Sequence, residues 1–189
     1  YQDQIEAIIL PKTQSFDFLA TLAPMIDFSN KLVPLIETPR AIDTVTQIAA
    51  FKDVVGLFFG AADSSASLGC KLAWEPLLYA RQKVVLAAAM YNLFTIDAPF
   101  FYMDDKEGLK KEAEAVKNLG FTGKAAIHPD QIDFINESFA PTSEEIAEGK
   151  KVLEEYQKSG GGAVKIDGQM VDEPIAEAMR LKISLGEEE

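Results

Sequence analysis

Along the chain, short apolar runs alternate with stretches in which apolar residues recur every three or four positions. The runs are 5–10 (IEAIIL), 32–36 (LVPLI), 54–60 (VVGLFFG), 93–97 (LFTID) and 122–128 (TGKAAIH). They are apolar almost throughout, as in strands with both faces covered, and each reads as a strand. Between them the spacing predicts helices over 14–27, broken late by Pro24, over 75–91, and over 105–119 with Gly120 at its end. Thr38 is placed to N-cap a further helix with Pro39 at its first position, and Ile42, Val45, Ile48 and Ala49 fall on its inner face. The long helix turns Leu77, Leu78, Val84, Val85 and Ala88 inward, and SSASLG after the third run reads as a loop or helical turn. Beyond the fifth run come a short helix at 130–138 and a T-x-x-E capping box at Thr142 and Glu145 that opens a helix to Ser159. A Gly160–Gly162 break follows, then a hairpin signal at Asp167-Gly168 within 163–171 and a last helix at 173–184.

Five β units in series imply an α/β fold with a parallel sheet. A doubly wound open sheet and a parallel (β/α) TIM-type barrel both fit. A full barrel needs eight strands and typically about 250 residues, so a barrel reading expects three β/α units before Tyr1. In either architecture ligands bind at the carboxyl ends of the strands. Those ends carry Lys12, Glu37, Asp63, Asp97 and His128. Three carboxylates gathered at one mouth repel unless compensated, and oxygen donors with water in the open positions suit magnesium rather than zinc. Each acid taken singly also fits a helix N-terminus.

The 30 acidic against 18 basic residues, a net charge of -12, disfavour nucleic acid and anionic membrane surfaces as partners. No apolar run is long enough to span a bilayer. The opening residues lack the pattern of a secretion signal, and the single cysteine, Cys70, rules out an internal disulfide. A cytoplasmic location is expected.

Seven segments in order carry a resemblance: LPK at 10–12, LIETPRA at 35–41, FGAADSSASLG at 59–69, YARQKVVLAA at 79–88, IDAPF at 96–100, GLKKEAEAVKNLGFTGKAAIHPDQI at 108–132 and DGQMVDEP at 167–174. Together they resemble the citrate lyase beta-chain, malyl-CoA and citramalyl-CoA lyase family within the HpcH/HpaI aldolase/citrate lyase superfamily. The resemblance covers nearly the whole chain and corresponds to strands four to eight of that family's barrel plus a C-terminal extension. It implies a barrel portion over 1–159 and a lid or oligomerisation extension over 160–189.

The same resemblance implies Mg²⁺ held by Glu37 and Asp63, and a carbon–carbon lyase acting on a malyl-, citramalyl- or citryl-type thioester of CoA or an acyl carrier. Asp172, in the lid-like segment, takes the acid/base role toward a neighbouring subunit, within a homo-oligomer (trimer or hexamer) whose active sites are shared. Where the family's motif reads G-A-E-D, Ala62 precedes Asp63, which keeps the ligand but leaves the subfamily open. The arginine that holds the enolate oxygen belongs to a strand before Tyr1. Arg40, Asp97 and His128 are substrate-side candidates. Each has a plainer alternative: an exposed helix arginine, an acid shaping the mouth, a hydrogen-bonded structural histidine. Asp172 before Glu173-Pro174 equally fits an N-cap. Arg81 and Lys83 are expected on an outer helix surface, Cys70 as a packed small side chain, and Trp74 and Tyr79 at a subunit contact or beside the thioester arm. Two other functions stay open: an auxiliary truncated barrel subunit, and a metal-dependent aldolase of free hydroxy-keto acids.

Overall fold

The computed structural model describes residues 5–25 and 31–187, so the end of the helix expected over 14–27 lies outside the described residues. The chain divides into two compact units, Tyr1–Ile135 and Asn136–Glu189.

The first unit runs β1 (Ile8–Leu10), α1 (Phe16–Leu22), β2 (Leu32–Ile36), α2 (Pro39–Asp43), α3 (Val45–Ala49), β3 (Gly56–Phe59), α4 (Ala61–Leu68), α5 (Trp74–Met90), β4 (Phe94–Asp97), α6 (Lys106–Leu119), β5 (Gly123–Lys124) and the start of α7 (Ile132–Phe139). A 3-10 turn at Ala23–Met25 carries Pro24, which cannot continue α1. The expected caps form: Thr38 accepts from the Ala41 N–H, and Gly120 closes α6 at φ 107. SSASLG is helical rather than a loop, belonging to α4 and ending on Gly69 at φ 67. The fifth strand is shorter than its apolar run. Ala125 still donates to the Asp97 carbonyl, and the chain then turns into a 3-10 helix at Pro129–Gln131.

All the pairings in this sheet are parallel, in the order β1-β2-β3-β4-β5. That order decides between the two architectures. A doubly wound sheet reverses direction at a switch point, whereas strands laid down strictly in sequence build a barrel wall. The sheet's two faces differ. Ile36, Leu57 and Phe59 are fully buried on the face that α5 covers. Leu35, Phe58 and Ile96, in register with one another, lie on the opposite face and are half-buried. Gly56 pairs with Phe94, whose ring would lie 2.3 Å from a Cβ at Gly56. Only glycine leaves that ring room to cross β3.

In the second unit, the capping box at Thr142 and Glu145 opens α8 (Ser143–Lys158). The hairpin β6 (Val164–Ile166) and β7 (Gln169–Val171) turns at Asp167 and Gly168, both at positive φ, before α9 (Glu173–Glu187). Val152, Tyr156, Ile166, Val171 and Ala176 form a small core of their own. By packing, the units divide near residue 135. The apolar face of α8 is spent on the hairpin and α9.

Candidate metal and substrate site

Glu37 follows β2 and Gly60 follows β3, and the Gly60 N–H donates to the Ile36 carbonyl. This pairing sets the two strand ends side by side. Glu37 is only 3 % exposed. A Cβ on Gly60 would fall 2.5 Å from the Glu37 Cβ and 3.0 Å from its Oε2, so the missing side chain is what lets the carboxylate lie there. Asp63 stands in the first turn of α4, where a negative charge also meets the positive end of the helix.

Lys12 joins them. Its backbone is left-handed at φ 54, uncommon for a residue with a side chain. In that conformation its N–H donates to Glu37 Oε1 at 2.8 Å. Its ammonium donates to Asp63 Oδ1 at 2.5 Å and lies 3.6 Å from Glu37 Oε1. Two carboxylates from adjacent strand ends thus converge on one cation. The Lys12 ammonium, first, and a contact with Glu37 hold the Asp63 carboxyl below its ordinary value, against the opposing effect of burial. The bond to Asp63 chiefly raises Lys12.

Among the described residues no group of three or more His, Cys, Asp or Glu comes together as a metal cage. A cation at this mouth would therefore have two protein ligands, both hard carboxylates. Ions that keep most of their water, or take oxygens from a ligand, suit such a pair. The donor chemistry and the room beside Gly60 both fit.

Asp97 departs from expectation. It is wholly buried, and Oδ1 accepts from Arg81 Nε at 2.8 Å while Oδ2 accepts from Lys124 Nζ at 2.9 Å. Lys124 also donates to the Ala98 carbonyl and to Glu112 Oε1, each at 2.7 Å. On β4, Thr95 and Asp97 are buried while Phe94 and Ile96 are not, so Asp97 points toward the helix layer and away from the open face. Both of its oxygens are taken up by buried cations. Arg81 is likewise interior rather than on an outer surface, its guanidinium 5.1 Å from the Phe59 ring centre and 4.8 Å from that of Trp74. Lys83 does lie outward, bonded to the Asp43 carbonyl. Tyr79 is exposed and Cys70 is a half-buried free thiol.

His128 caps the Pro129–Gln131 turn, its Nδ1 accepting from the Asp130 N–H at 3.2 Å. Arg40 is exposed on α2 and forms no ion pair among the described residues. Asp172 caps α9, with Oδ1 accepting from the Ile175 N–H at 3.4 Å and its carbonyl from the Ala176 N–H. The start of α9 is pinned by Glu173, which accepts from Arg180 at 2.6 Å and Tyr156 at 3.0 Å. Arg180 first, then the Tyr156 hydroxyl, hold Glu173 below its ordinary value.

The network of buried Arg81, Asp97 and Lys124 with half-buried Glu112 escaped the sequence reading. Gln131, which holds the Phe100 carbonyl through Nε2 and the Ile127 N–H through Oε1, escaped it too. A signal for Arg81 existed: with Leu77, Val84 and Ala88 it keeps the spacing of a single inward helix stripe.

Together these features describe a β/α-barrel protein with two carboxylates converging on Lys12 at the mouth of its strands. The family model for HpcH/HpaI aldolase/citrate lyase matches residues 2–129, and the chain belongs to that family. It is 35% identical to the citrate lyase subunit beta of Haemophilus influenzae over 159 residues, which is 81% of this chain and 55% of the relative. It is 31% identical to the mitochondrial citramalyl-CoA lyase of Homo sapiens, over 95% of this chain and 59% of that protein. The chain therefore spans somewhat more than half the length of these relatives. Among solved structures it superposes on protein CitE of Mycobacterium tuberculosis in complex with magnesium, acetoacetate and coenzyme A. The TM-score is 0.84 and the identity 30%, covering 96% of this chain and 68% of that one. RipC from Yersinia pestis matches at 42% identity and TM-score 0.72, covering 77% of this chain and 68% of the other. No helix among the described residues is long and apolar enough to cross a membrane.

Proposed function

We propose that this chain is part of a magnesium-dependent carbon–carbon lyase acting on a 3-hydroxy-3-carboxy acyl thioester. The observation that carries this reading is the convergence of Glu37 and Asp63 on a single cation, Lys12 Nζ, at adjacent strand ends. Family membership and the magnesium-bound relative support it.

Glu37 and Asp63 would hold Mg²⁺, the buried Glu37 as the fixed anchor and the more exposed Asp63 as the adjustable one. When bound, the ion supplies Lewis acidity toward the hydroxyl and carboxylate oxygens of the substrate, typically several kcal/mol of charge stabilisation. In cleavage the Asp172 carboxylate takes the hydroxyl proton, the C–O group becomes a carbonyl, and the electron pair of the broken carbon–carbon bond passes to the thioester fragment as an enolate. Asp172 gives the alpha carbon of that fragment its proton, and takes it away in the condensation direction. Its cap bond uses one oxygen, which leaves the other for this transfer. Arg40, exposed and unpaired among the described residues, is the candidate for an anionic group of the substrate; His128, whose Nδ1 is used by the Asp130 N–H, is a secondary candidate.

The direct test is cleavage of malyl-, citramalyl- and citryl-thioesters with Mg²⁺ and with a chelator. Turnover that needs the metal is expected. Metal-dependent turnover of free hydroxy acids with none of thioesters would replace the reading by a free-acid aldolase. Gly60→Ala is expected to displace the Glu37 carboxylate and weaken Mg²⁺ binding roughly tenfold or more, by calorimetric titration, while the circular dichroism of the fold is kept. Sharing of sites between subunits is tested by mixing Asp172→Ala with Glu37→Ala chains. Random assortment should restore about a quarter of the activity if sites are shared, and none if each chain serves itself.

A further inference from the structure

Lys12 is held in an arrangement that ordinary packing does not require. Its backbone is left-handed, its N–H is committed to Glu37, and its ammonium is drawn across to Asp63. The side chain is nonetheless more than half exposed, and among the described residues the two carboxylates are what hold its ammonium there. A cation in that place cancels the repulsion between Glu37 and Asp63. A second cation could not enter while the ammonium remains bonded to Asp63.

We infer that Lys12 is a built-in counter-cation for the Glu37–Asp63 pair: a divalent ion must displace its ammonium to bind, and the displaced ammonium stays tethered at the mouth by the Lys12 backbone bond to Glu37. The inference rests on the reading that these carboxylates hold Mg²⁺. Two functional consequences follow from charge alone. Without metal the ammonium offsets one of the two negative charges, so the mouth does not splay for want of an ion. With metal bound, two carboxylates, one divalent ion and one lysine leave a net positive charge. Such a mouth attracts an anionic substrate even though the protein as a whole carries -12. The lysine thus makes the sign of the site depend on metal occupancy, which favours metal before substrate.

The exchange is tested by titrating Mg²⁺ into the wild type, Lys12→Met and Lys12→Arg by calorimetry. Lys12→Met is expected to bind Mg²⁺ about fivefold more tightly than the wild type, the size of effect an exposed ion pair supports. Lys12→Arg should stay near the wild type. A second measurement follows Lys12 itself. Reductive methylation read by mass spectrometry should label Lys12 faster when Mg²⁺ is present, because the ammonium has been released. Equal or weaker binding by Lys12→Met, with Mg²⁺ still bound by the wild type, overturns the inference and leaves the lyase reading standing. So does labelling that is unmoved by the metal. Absence of Mg²⁺ binding in all three proteins overturns both, and so does binding by Lys12→Met alone, because the wild-type ammonium is then never displaced.

Discussion

Glu37→Gln is expected to lower metal-dependent lyase turnover by roughly 10³-fold, because it removes the anchor of an ion whose charge stabilisation is worth several kcal/mol. The change is chosen to spare the fold. The amide oxygen of glutamine can still accept from the Lys12 N–H, as Glu37 Oε1 does at 2.8 Å, and the shape of the side chain is the same. Neutralising a buried group also removes a desolvation cost, so stability without metal should hold or rise slightly. The decisive comparison is the thermal midpoint with and without Mg²⁺. In the wild type, metal at tenfold its dissociation constant should add about 1.4 kcal/mol by linkage. In Glu37→Gln that gain should vanish. A variant that loses turnover but keeps the gain would mean that Glu37 acts on the substrate rather than on the ion.

The second large effect is one of stability. Asp97→Asn should destabilise the first unit by about 3–5 kcal/mol, the range for removing one partner of a buried ion pair. Asp97 is the common acceptor of Arg81 and Lys124, and neither cation reaches water. In Asp97→Asn the amide oxygen can still accept from Arg81, but the guanidinium charge is left facing only the rings of Phe59 and Trp74. Lys124 keeps Glu112 and the Ala98 carbonyl. Arg81→Met should cost much less. It leaves Asp97 paired with Lys124 and removes a guanidinium nitrogen, Nη1, that is buried without a partner. Denaturant midpoints of the two variants should therefore separate clearly, with Asp97→Asn the lower. An Asp97→Asn midpoint equal to that of Arg81→Met would mean that the network contributes packing and not charge.

These two residues also show where the sequence was readable. Glu37 and Asp63 could be placed at one mouth because the apolar runs end just before them and parallel strands put those ends together. The cap at Thr38-Pro39 fixed where β2 stops and α2 begins. Asp97 sits at an equivalent strand end, and the same rule sent it to the mouth. The rule does not say which face a terminal side chain takes. On β4 that is decided by Arg81 and Lys124, which lie 16 and 27 residues away in sequence and become neighbours only in the folded sheet. Periodicity alone left the architecture open between a wound sheet and a barrel; the family resemblance chose the barrel, and the strand order agrees. Run lengths report strands but not their neighbours. Gly160–Gly162 looks like a linker, yet Tyr156 bonds the Gly161 carbonyl at 2.6 Å, a contact that run lengths do not report.

A pair of carboxylates is a short hand with which to grip a metal. An ion so held finishes its coordination with whatever arrives, and a hydroxy acid offers two oxygens in one molecule. On the proposed reading, cation and substrate each bind better when the other is there, and thermodynamic reciprocity makes the two enhancements equal. The affinity of this protein for magnesium is then not a constant of the polypeptide: it rises and falls with the supply of the acid it works on.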